Sequence, residues 1–310
     1  MKDKKVVFMG TPEFSVPVLE MLDENTNVVL VVTQPDKESG RGHEIKFSPV
    51  KKYAVEHNIE VYQPTKIRND FEYILSKNPD VIITCAYGQI IPVELLETPK
   101  YKAINVHASL LPKLRGGSPL HRAIIDGYDE TGITIMYMAP GMDDGDIITQ
   151  KSIKINEDDN VGIIHDKLSV IGRDLLLQTL PNIFNGNVVR TPQNKDEVTF
   201  AYNIKKEEEK IDFNKTAKEV YNQIRGMYPF PVAYTILDEQ IIKVCESKIG
   251  TITNGKIGEI VKVYKDGIGI MCKEKEIILT RIKPSGKKEM NVQDFLNGKK
   301  NEKLEGKILC

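Results

Sequence analysis

The stretch AINVHASLLPKLRGGSPLHRAIIDGYDETGITIMYMAPGMDDGD, residues 103–146, decides how this chain is read. It opens on a short apolar run ending in Asn105, Val106 and His107. A Ser-Leu-Leu-Pro turn follows (Ser109 to Pro112), then Gly116-Gly117 and a helix start at Ser118-Pro119. A second apolar run, Ile133 to Met138, leads into the turn Gly141-Met142-Asp143-Asp144-Gly145. An amide, an imidazole and a carboxylate thus stand at two element ends separated by a helix-length connection. That layout predicts a site at the carboxyl edge of a parallel sheet, where open α/β folds bind ligands.

Outward from this stretch, strand-like and helix-like segments alternate. Val6–Met9, Val28–Thr33, Glu60–Tyr62, Val81–Thr84 and Ala103–Val106 read as strands. Phe14–Leu22, Ser48–His57 and Asp70–Lys77 read as helices between them. The alternation predicts a doubly wound, mostly parallel α/β sheet. Gly132–Met138 and Ile147–Ile155 continue as strands, and Val161–Leu180 reads as a long amphipathic helix. Beyond it the chain turns polar, with the run KKEEE at 205–209. The expected boundaries are a catalytic domain over 1–189, a linker over 190–209 and a second domain over 210–310. The second domain reads as a helix, Thr216–Met227, then five short strand-like runs, with Asp266-Gly267 as a hairpin signal. Five short strands in so few residues predict a small, OB-like β-barrel.

The bulk numbers fit two globular domains. The chain has 310 residues, 40% hydrophobic and 28% charged, with a net charge of −1. Its longest strongly apolar run, Val28–Val32, falls far short of the ~20 residues of a membrane helix. No secretory h-region or cleavage site is read at the N-terminus, and the cysteine pattern is what reads as a cytoplasmic protein. Cys85, Cys245, Cys272 and Cys310 are scattered, without C-x-x-C or His at ligand spacing. Reduced thiols and no metal site are the expectation. Residues 205–310 carry 21 Lys and Arg against 16 Asp and Glu, a weak pointer to a polyanion at the second domain. Gly10-Thr11-Pro12 is not a dinucleotide fingerprint, and no Walker loop is present.

Asn105, His107 and Asp143 supply what moving an acyl group onto an amine requires. The carbonyl oxygen must be stabilised as it turns anionic, and Asn105 offers an amide N–H that cannot ionise. The amine must lose a proton and the leaving nitrogen must gain one. His107 can donate or accept, and Asp143 can orient it and relay protons. None of the three is an obvious nucleophile, so direct attack by the amine is expected over a covalent acyl-enzyme.

The same stretch resembles the folate-dependent formyltransferases, whose motif is Asn-x-His-x-Ser-Leu-Leu-Pro with a downstream Asp. The resemblance to the members that act on methionyl-tRNA covers nearly the whole chain. It includes VVFMGTPEF at 6–14, TQPDKESGRGHEIKFSPVK at 33–51, NQIRGMYPFPVAY at 222–234 and KPSGKKEMNVQDFLNG at 283–298. The resemblance implies 10-formyltetrahydrofolate as co-substrate and initiator methionyl-tRNA as partner, with Asn105, His107 and Asp143 as the catalytic trio. It places Ser109, Leu110, Leu111 and Pro112 against the folate. Ala86, Tyr87 and Gly88 would form one wall of the pterin site, and Pro140 to Asp144 the other.

The inserted loop Gln34–Phe47, with Lys37, Arg41, His43 and Lys46, would meet the acceptor end of the tRNA. Arg281, Lys283, Lys287 and Lys288 would meet its phosphates. No membrane contact is expected, and the protein is expected to act as a monomer. Two departures stand out. His43-Glu44 makes the loop less basic than in many relatives, and Phe230 replaces the usual Trp, where it is expected to pack at the start of the barrel. The alternative within the same chemistry is a formyltransferase for a small amine, either an amino sugar or glycinamide ribonucleotide.

Overall fold

A computed structural model describes residues 1–39, 44–299 and 302–310. The chain divides into two compact units. The first comprises residues 1–119, 130–153 and 165–202, and the second residues 120–129, 154–164 and 203–310.

The first unit is built on a seven-stranded sheet of order β5-β2-β1-β6-β7-β8-β9. Its strands are β1 (Lys5–Gly10), β2 (Asn27–Val32), β5 (Val61–Tyr62), β6 (Val81–Cys85), β7 (Ala103–His107), β8 (Glu130–Tyr137) and β9 (Ile147–Lys154). β5, β2, β1, β6 and β7 run parallel, and β8 turns antiparallel to β7, with Asn105 opposite Met136 and His107 opposite Thr134. β6 is wholly buried, and β1 is buried from its second residue, which explains their unbroken β-branched and apolar composition. Helices α1 (Val16–Asn25), α2 (Pro49–Glu56), α3 (Glu72–Ser76) and α4 (Val93–Glu97) connect the parallel strands. α2 starts where Ser48-Pro49 predicts: the Ser48 hydroxyl accepts the Lys51 N–H at 3.1 Å, and Pro49 takes the first turn. Val7, Met9, Leu30, Val32, Ile82 and Leu95 share one core.

Helix α6 (Val161–Phe184) is longer than expected and runs through Pro181. A mid-helix proline forfeits one backbone bond. Here Leu180 and Ile183, both buried, keep the last turn packed. Gly172 of α6 lies against Val106 and Ile133, so α6 covers the face of β7 and β8 that carries Val106. Asn105 and His107, two residues apart, share the opposite face. Between β2 and α2 the inserted loop forms a hairpin, β3 (Lys37–Ser39) with β4 (Glu44–Lys46), which no hydrophobic period in the sequence announces.

The second unit holds α5 (Pro119–Ile125) from Leu120 onward and α7 (Ala217–Met227). It also holds an antiparallel sheet of order β10-β11-β14-β13-β12. These strands are β10 (Tyr234–Leu237), β11 (Gln240–Ile249), β12 (Ile260–Val263), β13 (Ile268–Met271) and β14 (Glu276–Pro284), and β15 (Met290–Asn291) adds to β14. All five expected strands are present, and Asp266-Gly267 turns β12 into β13. α7 opens with a reciprocal capping box. The Thr216 hydroxyl accepts the Glu219 N–H, and the Glu219 carboxylate accepts the Thr216 N–H. Its apolar face joins β11, β13 and β14 in one core with Val220, Ile224, Val244, Ile270 and Leu279. α8 (Val292–Asn297) follows β15. Phe230 corrects an expectation: it is 74% exposed and does not pack. Its neighbours take that role, since Met227 is buried and Pro229 lies against Gly162.

Candidate active site

The period-two geometry of β7 sets Asn105 and His107 side by side, and the loop between β8 and β9 brings Asp143 onto them. His107 is buried, with Nδ1 facing Asp143 Oδ1 at 3.7 Å. Its Nε2 lies 3.2 Å from the Leu114 carbonyl. A carbonyl only accepts, so Nε2 carries a hydrogen and Nδ1 is the nitrogen left to exchange a proton with the carboxylate. Asn105 Nδ2 makes a long 3.5 Å contact to the same Oδ1. Its Oδ1 accepts the Thr84 hydroxyl at 2.9 Å, which fixes the amide with its N–H groups on the Asp143 side. The second oxygen of Asp143 accepts the Gly116 N–H at 2.9 Å. One carboxylate therefore meets an amide, an imidazole and a backbone donor. Asp143 itself sits in the left-handed region, φ +47°.

The Ser-Leu-Leu-Pro turn is tied down from behind. Thr134 donates to the Ser109 carbonyl at 2.6 Å and accepts the Leu111 N–H at 3.1 Å. Gln150 donates to the Leu111 carbonyl at 2.8 Å. The Ser109 hydroxyl donates to the Lys113 carbonyl at 2.7 Å. Ser109 and Leu111 are buried, and Leu110 and Pro112 are half-buried. After β6, Ala86 (φ +49°) and Gly88 (φ +87°) bend the chain, and both are exposed. Tyr87 between them turns its ring into the core that Val7, Met9 and Ile82 share, where burial pushes its phenol upward. Its carbonyl accepts the Gln34 amide at 2.9 Å. Pro140 and Asp144 are exposed on the loop that carries Asp143.

The residues expected to meet nucleic acid are placed as follows. Lys37 opens β3 and stands in register with Lys46, which is exposed. Arg41 and His43 lie outside the described residues. Arg281 and Lys283 sit two apart on β14, with Ile282 between them buried. Lys283, Lys287 and Lys288 are exposed. Arg281 is held by Glu289 at 2.6 Å and Glu246 at 3.2 Å, and these carboxylates raise its already high pKa.

Sequence reasoning missed the residues that hold the Asp143 loop. Gln193 donates through Nε2 to the Asp143 and Gly145 carbonyls, both at 2.8 Å. Its Oε1 accepts two N–H groups of Arg115, at 3.0 and 2.7 Å. These contacts join segments 78 residues apart, and no local period announces them.

Residues 4–180 match the formyl transferase family, and residues 203–300 match its C-terminal domain. The chain belongs to the formyl transferase family. A methionyl-tRNA formyltransferase of Bacillus thuringiensis subsp. konkukian is 50% identical over 303 residues, covering 96% of each chain. Among solved structures, an N-formyltransferase from Helicobacter canadensis, in complex with folinic acid and dTDP-3-aminofucose, superposes with a TM-score of 0.65. It is 22% identical and covers 89% of this chain and 98% of its own. A methionyl-tRNA formyltransferase from Clostridium thermocellum superposes at 0.55, with 18% identity, over 80% and 94% of the two chains. At such identities the structures speak for the formyl transferase fold alone. The amino-terminal family match contains Asn105, His107 and Asp143.

Proposed function

We propose that this formyl transferase moves the formyl group of 10-formyltetrahydrofolate to the α-amine of initiator methionyl-tRNA, using Asn105, His107 and Asp143. The observation that carries the site is their convergence on one carboxylate, with His107 Nδ1 3.7 Å and Asn105 Nδ2 3.5 Å from Asp143 Oδ1. The near-full-length similarity to a methionyl-tRNA formyltransferase supports the acceptor.

The neutral amine attacks the formyl carbon. A carbon–nitrogen bond forms to the amine, and the carbonyl oxygen becomes an oxyanion. Asn105, held by Thr84, and the Nδ1 edge of His107, whose Nε2 is engaged by Leu114, supply hydrogen-bond donors to that oxygen. The amine nitrogen loses one proton, and the folate nitrogen gains one as its bond to the formyl carbon breaks. Asp143 and His107 relay that proton.

Leu110, Pro112, Ala86, Gly88, Pro140 and Asp144 are the accessible candidates for contact with the flat folate. Ser109, Leu111 and Tyr87 act by shaping the turns. Lys37 and Lys46 of the paired strands β3 and β4, together with Arg41 and His43 of the same inserted stretch of sequence, contact the acceptor end of the tRNA. Lys283, Lys287 and Lys288 make phosphate contacts, with Arg281 beside them. Action as a monomer is part of this proposal. Cys85, Cys245 and Cys272 are buried free thiols, which supports the cytoplasm as its place of action. Among the described residues, no helix is long and apolar enough to cross a membrane.

Transfer to methionyl-tRNA by His107→Ala and Asp143→Asn tests the site. Turnover should fall by at least ~100-fold in each, as loss of an oxyanion donor or proton relay does. Near-normal turnover in a folded variant would overturn these roles.

A further inference from the structure

Asp143 sits in the left-handed region, φ +47°, which aspartate tolerates better than most residues, and other segments hold its turn in place. Two carbonyls of its turn, Asp143 O and Gly145 O, converge on a single side-chain nitrogen, Gln193 Nε2, at 2.8 Å each. The orientation of that amide is not arbitrary. Arg115 presents Nε and Nη2 to the other end of Gln193, and a guanidinium only donates. The atom facing Arg115 must therefore be the oxygen, and both N–H groups of Gln193 must face the turn.

Arg115 is itself fixed by its backbone. Its N–H donates to the Thr199 carbonyl at 2.9 Å, and its carbonyl accepts the Ala201 N–H at 2.7 Å. The next residue, Gly116, donates to the Asp143 carboxylate. Gln193 is anchored two residues upstream, where Thr191 and Ile147 exchange backbone hydrogen bonds at 2.9 Å. The segment Arg115-Gly116 thus grips Asp143 twice, directly at the carboxylate and through Gln193 at the backbone.

We propose that Gln193, oriented by Arg115, is a positioning residue that sets the Asp143 carboxylate against His107 and Asn105. The side-chain bonds of Gln193 run to Arg115, Asp143 and Gly145, so both Gln193 and Arg115 act through Asp143. The inference rests on the reading that Asp143 takes part in transfer. A clamp of this kind acts on the rate of the chemical step, because misplacing a group by about 1 Å costs up to ~100-fold in turnover.

The test compares Gln193→Glu, Gln193→Ala, Asp143→Asn and the double variant Gln193→Glu/Asp143→Asn, with methionyl-tRNA and 10-formyltetrahydrofolate. Gln193→Glu keeps the size and the Arg115 contact but turns a carboxylate oxygen on the two carbonyls. Its kcat should fall about 10- to 100-fold, with KM for both substrates within about threefold of wild type. Thermal unfolding should confirm that it is folded, and it carries the test if Gln193→Ala is not. In the Asp143→Asn background the same change should cost less than about threefold more, since the group it positions is already disabled. Wild-type kcat in Gln193→Glu, or a full further loss in the double variant, would overturn the inference and leave Gln193 as a brace of the loop. Full turnover in Asp143→Asn alone would instead overturn the role of Asp143 beneath it.

Discussion

Asp143 gathers its partners from three separate stretches: Asn105 and His107 on β7, Gly116 after the Ser-Leu-Leu-Pro turn, and Gln193 beyond α6. The first two are legible in the sequence because a two-residue spacing on a strand forces two side chains onto one face. The aspartate is legible through its turn chemistry and the resemblance that its flanks carry. Gly116, Gln193, Arg115 and Thr84 are not, because their roles arise only when distant segments meet. Gly116 offers a test at this scale. Its φ is +119°, and a Cβ there would lie 2.9 Å from the Ala201 carbonyl. Gly116→Ala meets both the strain and the contact, so stability should drop by about 1–2 kcal/mol. Its N–H can no longer keep its place on Asp143, so turnover should fall by about tenfold or more. Urea denaturation and the transfer assay check the two parts. A variant equal to wild type in both would show that the segment adapts freely.

The β3–β4 hairpin springs from a polar network that no sequence period reveals. Lys51 Nζ contacts Asp36 Oδ2 and donates to Gln63 Oε1 at 2.8 Å. Gln63 Nε2 donates to Asp36 Oδ1 and to the Gln34 carbonyl, both at 2.9 Å. Gln34 in turn holds the Tyr87 carbonyl and accepts the Gln89 amide at 3.2 Å. The base of the hairpin and the turn after β6 are thereby one hydrogen-bonded element.

Burial alone would raise the Asp36 carboxyl, but the hydrogen bonds from Lys51 and Gln63 outweigh it and hold the group below its ordinary 3.8. Its contribution to stability is therefore full above the unfolded value and fades as pH falls through the lower folded value. Asp36→Asn should cost about 1 kcal/mol at pH 7, since a part-exposed pair is screened by solvent. Wild type and variant should converge as the pH drops below 3.8. Urea denaturation at pH 7 and pH 3 measures this, and a gap unchanged with pH would count against the network. At the same scale, the end of α6 lies beyond the Leu180 that the sequence predicts. Proline is a local stop signal, whereas the burial that carries the helix past Pro181 is tertiary.

On the scale of the whole molecule, the strand–helix alternation of the first half and the five short strands of the second are readable, because each follows from a local hydrophobic period. What composition cannot convey is the interleaving of the chain, with residues 120–129 and 154–164 belonging to the second unit. Of the lysines after residue 205, Lys283, Lys287 and Lys288 are exposed at the end of β14 and in the turn after it.

The identity of the acceptor amine is the central question for this enzyme. Formyl transfer from 10-formyltetrahydrofolate should be measured side by side on methionyl-initiator tRNA, methionyl-elongator tRNA, an amino sugar and glycinamide ribonucleotide, at low and raised salt. Strong preference for the initiator tRNA is predicted, with kcat/KM falling as salt rises because phosphate contacts release counterions. Transfer to a small amine alone, with no dependence on tRNA, would keep the Asn105–His107–Asp143 chemistry and contradict the tRNA-binding role of the hairpin and the second unit.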